Sequence, residues 1–358
     1  MTTPDPKPLS WALVVATYQR AHILPRCLRL AAEQTRPPAE IIVVDASPDW
    51  EKTRDLVLTE LATAHPAIRW LYVQAERPSS TAQRNQGTRL AHADVLFLID
   101  DDSLMYPDCA EQILRVYEAD VGQAVAGVNA MHVPQPPDQP SAAPKGRLSE
   151  HGTTKQYGLV ARLVRWLLRA DDLFVPYDAD FPQHTLPPAV AQLSIGTRPL
   201  MAGWGMTFRR NICLKEPFDE ILSRYAAGED SDMGYRASRH GLLLTALEAH
   251  LCHIGATGGR LPPYVVALLG NLNPLVMHRL YSTDLQRSRR RSRGLLARRF
   301  LILLCKDLAK GRLSLPNARG ILGAWRWLGP VFSQSEAELR AWYPTFQKQL
   351  IERYTRSK

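Results

Sequence analysis

The 358-residue sequence predicts an α/β fold in which helices cover both faces of a doubly wound sheet. Three runs in the first third of the chain, WALVVA, IIVVD and VLFLID, are almost continuous in apolar residues, as expected for strands buried on both faces. Segments of helical length separate the runs. The whole chain is 45% hydrophobic, which is ordinary for a globular protein and excludes disorder as its main state.

Four strands are predicted in this part of the chain, and polar residues follow three of them. The strands are residues 11–16, 40–45, 69–74 and 94–100. In open parallel sheets, ligands bind beyond the carboxyl ends of the strands. The candidates for chemistry are therefore residues 17–20, 45–49 and 100–102.

Beyond about residue 120 the alternation of strands and helices fades. Five prolines between residues 134 and 144 predict a surface loop or linker. A short basic amphipathic helix is predicted around residues 159–170, where Arg162, Arg165 and Arg169 share one helical face. A second amphipathic pattern, at residues 295–308, follows the run RSRRRSR.

The net charge of +9 is concentrated in one segment. Residues 279–312 contain eleven Arg or Lys against two Asp, so the remainder of the chain is neutral. A neutral body with one basic segment indicates a local contact with an anionic surface. Leucines follow the arginines and aromatic residues are not interleaved with them, so we expect a membrane surface rather than nucleic acid. The alternative is a solvated helix that packs its apolar side on the protein.

Several protein classes are excluded. No run of eighteen apolar residues predicts a spanning helix, and the polar, proline-rich start does not resemble a secretory signal. The five cysteines are far apart and contain no C-x-x-C, which argues against a disulfide framework or a zinc finger. Neither G-x-G-x-x-G nor a P-loop follows the first strand, which argues against a dinucleotide-dependent oxidoreductase and a P-loop enzyme. We expect a cytoplasmic protein.

Three adjacent carboxylates, Asp100, Asp101 and Asp102, end the fourth predicted strand. They repel one another unless a cation or hydrogen bonds compensate. Mg²⁺ and Mn²⁺ prefer oxygen ligands and commonly bind through one or two carboxylates and the phosphates of a substrate, so a nucleotide diphosphate is the natural second partner. The alternative is that the carboxylates cap a helix starting within residues 103–108.

Five segments together resemble a known family. In order they are VVATYQR, IIVVDASPD, AQRNQGTRLAHADVLFLIDDD, GWGMTFRR and FDEILSRYAAGEDSDMGYR. This ordered set, over roughly residues 11–255, resembles family 2 glycosyltransferases of the GT-A fold. Two positions depart from the family pattern: Gln19 stands where Asn is frequent, and DASPD lacks the glycine of D-x-G-S-x-D.

The resemblance implies a GT-A-type mixed sheet with flanking helices and a mainly helical C-terminal extension. The catalytic domain would occupy residues 1–260, with a donor half at about 10–120 and an acceptor half at about 121–260, and a basic helical region would occupy 261–358. The implied activity is inverting transfer of a sugar from a nucleotide diphosphate-sugar to a hydroxyl acceptor, dependent on Mg²⁺ or Mn²⁺. A glycan or lipid-linked acceptor in bacterial cell-surface polysaccharide synthesis is expected, with the enzyme peripheral on the inner face of the cytoplasmic membrane.

The resemblance also assigns donor-side residues. Those that would hold the nucleotide-sugar are Thr17, Tyr18, Arg20, Asp45, Arg84, Asp100 and Asp101. Asp100 and Asp102 would form the D-x-D pair, with Asp102 binding the metal directly. For Arg84 the alternative is a solvated helix residue.

Further residues would serve the metal, the acceptor and catalysis. His253 fits a metal-ligating imidazole better than His250, although a lone histidine is more often structural. Trp204 would line the acceptor side, or be a core tryptophan. Asp230 is the candidate base that accepts the acceptor's proton, and Glu229 would orient the acceptor. The alternative for this pair is helix N-capping after a glycine.

Two other functions remain open at this point. A sugar-phosphate nucleotidyltransferase also combines such a sheet with metal-binding aspartates, but it would carry a glycine-rich loop where residues 17–20 contain no glycine. A non-catalytic GT-A-like binding protein would not need both the D-x-D pair and Asp230. Since both are present, the sequence favours an enzyme.

Overall fold

A computed structural model describes residues 8–139, 175–178, 181–255 and 261–355. Spatial contacts between residues group the chain into two compact units. The first unit contains residues 1–153, 181–218 and 233–258, and the second contains 154–180, 219–232 and 259–358. Residues 219–232 therefore belong with the C-terminal helices.

The four predicted N-terminal strands are confirmed to within two residues at their ends, and all described strands lie in the first unit. They are β1 Trp11–Thr17, β2 Glu40–Asp45, β3 Arg69–Gln74, β4 Val95–Leu98, β5 Ser103–Met105, β6 Val125–His132, β7 Ile195–Thr197, β8 Met206–Arg209 and β9 Leu242–His253. The sheet order is β3-β2-β1-β4-β8-β6-β9-β5, with β7 paired to β9. Strands β1 to β4 are parallel, whereas β8 is antiparallel to β4 and β6. The sheet is therefore mixed, as expected.

Apolar side chains cover both faces of this sheet. Alternate residues of β1 enter different clusters: Leu13 and Val15 join one, and Ala12 and Val14 join the other. The helices of the first unit are α1 Leu24–Ala32, α2 Trp50–Val57 with a π-helical turn Leu58–Ala62, α3 Ser80–Leu90, α4 Cys109–Ala119, α5 Pro188–Ala191 and α6 Arg210–Lys215. Burial on both faces explains why the strand sequences are continuous in apolar residues rather than alternating.

Helix α3 is buried although most of its side chains are polar. The Gln83 amide donates to the carbonyls of Thr17 (2.8 Å) and Val44 (2.7 Å), which ties the ends of β1 and β2 together. At Gly87 a Cβ atom would lie 2.4 Å from Cγ1 of Val14. The close approach of α3 to the sheet therefore requires a glycine at this position.

The aspartate run does not precede a helix. Residues 100–102 lie between β4 and β5, and the next helix, α4, begins only at Cys109. The alternative that these carboxylates cap a helix within residues 103–108 is therefore wrong. Their charge must be compensated in another way.

The described residues after 261 are mainly helical, which confirms the expected helical C-terminal extension. Helix α7, Glu229–Ala237, begins in the second unit, and the boundary falls after Asp232. The remaining helices are α8 Pro263–Tyr281, α9 Leu285–Ala309, α10 Pro316–Ser333 and α11 Glu336–Thr355. The pattern predicted at 295–308 lies within α9. The helix expected at 159–170, and the proline-rich loop beyond residue 139, lie outside the described residues.

None of the helices in the described part of the chain combines the length and the apolar composition that crossing a bilayer requires.

The substitution Gly87→Ala tests the packing of α3. We expect it to lower the free energy of unfolding by about 1 to 3 kcal/mol, because the new methyl group overlaps a stiff, β-branched valine. Urea unfolding measures the change. Gly122→Ala is the matched control in the same unit, since a Cβ there meets nothing within 4 Å. Equal stability of the two variants would contradict the proposed close approach.

Candidate functional site

Strand pairing brings His253 to the aspartates at the end of β4. Strands β5 and β9 are antiparallel, with Ser103 opposite His253. The Ile254 N–H donates to the Asp102 carbonyl at 3.1 Å, which extends this pairing by one residue. As a result, Nε2 of His253 lies 3.2 Å from Oδ1 of Asp102 and 3.8 Å from Oδ2 of Asp100.

The side chains of Asp100, Asp102 and His253 form a candidate metal site. Their ligand atoms all lie within 4.8 Å of one another. The two carboxylate oxygens suit Mn²⁺ or Mg²⁺, and the imidazole nitrogen suits a transition metal such as Mn²⁺ better than Mg²⁺. The hydrogen bond with Asp102 raises the pKa of His253 above its usual value, so a bound cation would replace the proton that the imidazole otherwise holds.

His250 has a different environment from His253. Its ring packs edge-on against Tyr106, with the ring centroids 5.9 Å apart. The group of candidate ligands in the described residues includes His253 and not His250. The sequence-based preference for His253 therefore agrees with the geometry.

The middle carboxylate, Asp101, faces the end of β1. Thr17 Oγ1 donates to Asp101 Oδ2 at 2.7 Å. Arg20 Nη1 lies 3.5 Å from Asp101 Oδ1 and 3.2 Å from Asp102 Oδ2. Burial raises the pKa of Asp101 to about 6, against the opposing effects of the Thr17 hydrogen bond and the Arg20 charge. The end of β1 thus supplies a hydrogen-bond donor to the aspartate run, and the loop after β1 supplies a cation.

Arg84 supplies a second cation from helix α3. Its side chain is only 4% exposed, and Nη2 donates to Asp100 Oδ1 at 2.7 Å. The guanidinium lies over the Phe218 ring, 5.5 Å from its centroid. Asn85 holds this contact in place, because its amide donates to the Phe218 carbonyl and accepts from the Phe218 N–H, both at 2.9 Å. The alternative of a solvated helix residue is therefore wrong for Arg84.

The loops after β1 and β2 are joined to each other. Asp45 is buried, and its carboxylate accepts from the Ser47 N–H at 2.7 Å and from the Tyr72 hydroxyl at 2.5 Å. Ser47 Oγ in turn accepts from the N–H of Gln19, a residue with φ of 53°. Tyr18, beside it, is 51% exposed. Asp45 therefore shapes the loops, and Tyr18 offers an aromatic surface to solvent.

Trp204 is partly buried against the apolar core of the first unit. Its carbonyl accepts from Ser103 Oγ at 2.7 Å, one residue after the aspartates. Its ring meets His132 edge-on at 5.4 Å. The contacts place Trp204 next to β5, and its role toward an acceptor stays a prediction.

Glu229 and Asp230 occupy the first turn of α7, in the second unit. Gly228, with φ of 97°, allows the turn that precedes the helix. Asp230 Oδ1 accepts from the Ser231 N–H at 2.7 Å. The helix dipole favours negative charge in this first turn, where both carboxylates lie.

Sequence reasoning missed several residues that hold the site together. Gln83, Asn85, Ser47 and Tyr72 all make buried or partly buried hydrogen bonds to strand ends or site loops. In a helix with little apolar periodicity, a polar residue is predicted to be solvent-exposed. Only the burial of α3 distinguishes Gln83 and Asn85 from surface residues.

Comparison with known proteins gives a match to one protein family. The model of the family described as "Glycosyltransferase like family 2" matches residues 7–253. An uncharacterized glycosyltransferase of Haemophilus influenzae is 31% identical over 108 residues, which are 30% of this chain and 34% of that protein. EpsH of Bacillus subtilis is 32% identical over 109 residues, 29% of each chain. These matches span about a third of the curated relatives' own length.

Solved structures were also found to be similar. The mannosyltransferase PcManGT from Pyrobaculum calidifontis, in complex with GDP-Man and Mn²⁺, is 17% identical with a TM-score of 0.48, over 97% of this chain and 86% of that one. S. aureus TarS, residues 1–349, is 14% identical with a TM-score of 0.48, over 98% and 92%. The family model covers most of the chain, and the mixed sheet with flanking helices is of the GT-A type. The chain belongs to glycosyltransferase family 2.

Proposed function

We propose that the protein transfers a sugar, with inversion, from a nucleotide diphosphate-sugar to a hydroxyl acceptor, and that Mg²⁺ or Mn²⁺ is required. The observation that carries this proposal is the grouping of Asp100, Asp102 and His253 beside two arginines. Family membership removes the nucleotidyltransferase alternative. A non-catalytic binding protein remains an outcome of the tests below.

Binding of the donor depends on how the negative charge of the aspartate run is balanced. When bound, the cation supplies positive charge that stabilises the departing nucleotide diphosphate. Arg84 and Arg20 already contact the aspartates, so they limit the repulsion between the carboxylates and the incoming phosphates. Tyr18 would stack on the base, and Thr17 and Asp45 would hold the ribose side through the loops they fix.

The acceptor side requires a base. The acceptor oxygen attacks the anomeric carbon, the bond from that carbon to the diphosphate oxygen breaks, and its electron pair leaves with the nucleotide diphosphate. We assign the acceptor proton to the carboxylate of Asp230 and the orientation of the acceptor to Glu229. Attack opposite the leaving group gives inversion. The acceptor would be a glycan or a lipid-linked sugar used in bacterial cell-surface polysaccharide synthesis.

Calorimetric titration with UDP, GDP and dTDP, with and without Mn²⁺, tests the donor side and identifies the nucleobase of the donor. We expect one of them to bind and Mn²⁺ to strengthen its binding. Asp102→Asn should abolish the effect of Mn²⁺, because it removes a metal ligand. Asp55→Asn, an exposed carboxylate on α2, controls for loss of charge and should bind normally. Absence of binding by all three nucleotides would overturn the donor assignment.

Measurements of turnover separate the role of Asp230 from that of Asp102. Release of nucleotide diphosphate from UDP-glucose, GDP-mannose or dTDP-glucose, with water as the acceptor, reports the chemical step. Asp230→Asn should bind nucleotide as the wild type does and lose about 100-fold or more in kcat, because a general base acts in the transition state. Near-full activity of Asp230→Asn would refute the base assignment, and nucleotide binding without turnover of any of the three donors would favour a binding protein.

We also propose that the basic segment attaches the protein peripherally to an anionic membrane. Support comes from α9, where Arg289, Arg290, Arg291 and Arg293 are all exposed. The next part of the unit exposes apolar side chains among further cations: Leu308 is 54% exposed and Leu313 85%. Each basic side chain near an anionic surface contributes about 1 kcal/mol. Four arginines and two leucines together are enough for reversible binding.

Co-sedimentation with vesicles tests the attachment. The wild type should sediment with anionic and not with neutral vesicles, less so as salt increases. Changing the four α9 arginines to Ser should abolish sedimentation, and changing Leu308 and Leu313 to Ser should weaken it. A variant with Arg77, Arg89, Arg115 and Arg239 of the first unit changed to Ser has the same net charge and is the control. Equal sedimentation of wild type and the α9 variant would show that the run is only a solvated face.

A further inference from the structure

A cluster of polar side chains lies in the interior of the second unit. Asn273 on α8 and Tyr343 and Gln347 on α11 are each 0% exposed. We call these three residues the buried polar cluster. Burial of amides and hydroxyls costs free energy unless every polar atom finds a partner. Apolar side chains of the same size would pack two helices together without this cost, so the polar groups require another explanation.

The partners of Asn273 supply that explanation. Its Nδ2 donates to the carbonyls of Tyr225 at 3.1 Å and Ala227 at 3.0 Å. Its Oδ1 accepts from the Tyr343 hydroxyl and from Gln347 Nε2, the latter at 3.0 Å. Both donors and both acceptor sites of the amide are thus occupied, which fixes its orientation.

Gln347 likewise binds the backbone of a third residue, Ser223. Its Oε1 accepts from the Ser223 N–H at 2.9 Å and from Ser223 Oγ at 2.8 Å. The cluster therefore holds the backbone of residues 223, 225 and 227. This segment is irregular and lacks a helical or strand ladder of its own.

The start of the segment is anchored separately. Asp219 accepts from the Tyr281 hydroxyl at 2.5 Å and from Arg340 Nη1 at 3.0 and 3.1 Å. Residues 219–227 are thus tied to α8 and α11 at both ends. Only Gly228 separates the last tied carbonyl from Glu229 and Asp230.

We propose that Asn273 and Gln347 are positioning residues for Asp230. By holding residues 223–227, they set where α7 begins and where the first-turn carboxylates stand. The C-terminal helices would then be part of the catalytic machinery rather than an appendage. The inference rests on the proposed role of Asp230 as the base.

Asn273→Leu and Gln347→Met test the proposal with little change in side-chain volume. Each leaves carbonyl or N–H groups of the segment without a partner, so the segment should shift and kcat should fall about 10- to 100-fold. The KM for the donor and nucleotide binding in the presence of Mn²⁺ should stay unchanged, because the Mn²⁺ and donor residues belong to the first unit. The assay is release of nucleotide diphosphate from the nucleotide-sugar that the titration selects, with water as acceptor.

Asn271→Leu is the matched control. Asn271 is also buried on α8, but its amide bonds the Ala267 carbonyl of its own helix and Arg299. It should keep kcat near the wild-type value even if it loses similar stability. Thermal unfolding of all three variants identifies any that are unfolded at the assay temperature. If Asn273→Leu is unfolded, Gln347→Met alone decides, and if both are, Ser223→Ala decides through a kcat loss of about 3-fold or more.

A double-variant cycle separates this proposal from the proposed function. If Asn273 acts through Asp230, Asn273→Leu should cause no further loss of kcat in the Asp230→Asn background. Additive losses would overturn the positioning role, as would wild-type kcat in folded Asn273→Leu and Gln347→Met. If Asp230→Asn itself keeps wild-type activity, the base assignment fails instead.

Discussion

Three carboxylates on consecutive residues are the constraint around which the first unit is organised. Asp100, Asp101 and Asp102 leave a buried strand together, and their mutual repulsion must be compensated locally. The compensation comes from three distant parts of the sequence: Arg20 after β1, Arg84 on α3 and His253 at the end of β9. The sheet order makes this possible, because β1 pairs with β4 and β5 pairs with β9. The buried polar helix α3, which approaches the sheet closely at Gly87, supplies the second of these cations.

The compensation is unequal among the three carboxylates, and the proposed metal binding depends on this inequality. Asp101 is buried against Thr17, and burial raises its pKa to about 6, so it holds its charge less firmly than an ordinary aspartate. Asp100 is the most exposed of the three, at 37%, and with Asp102 it shares His253. Asp101 is thus held by the end of β1, whereas Asp100 and Asp102 are grouped with His253 as candidate metal ligands. In the second unit, too, buried side chains hold the backbone near a candidate site residue, since buried amides hold the segment before Asp230.

The sequence predicted the first four strands but not the five that follow them, and it singled out the aspartate run as a candidate site. Continuous apolar runs identified β1, β2 and β4, the ordered motifs included the aspartates, and the family resemblance suggested His253 by its position after Asp230. Helix α3 was not foreseen as a buried element, because Gln83, Arg84 and Asn85 give it the composition of a solvated helix. The grouping of residues 219–232 with the C-terminal helices was equally hidden. It depends on hydrogen bonds between residues more than forty positions apart, such as Asn273 to Tyr225, and side chains that bond to backbone carbonyls leave no sequence pattern.

The most direct test of the central claim is the position of Mn²⁺ in crystals grown with the nucleoside diphosphate that binds most tightly. Anomalous scattering at the manganese edge locates the ion independently of any assumption about its ligands. The account predicts one peak at about 2 Å from a carboxylate oxygen of Asp100, a carboxylate oxygen of Asp102 and Nε2 of His253. A peak elsewhere, or bound nucleotide with no manganese at these three side chains, would contradict it.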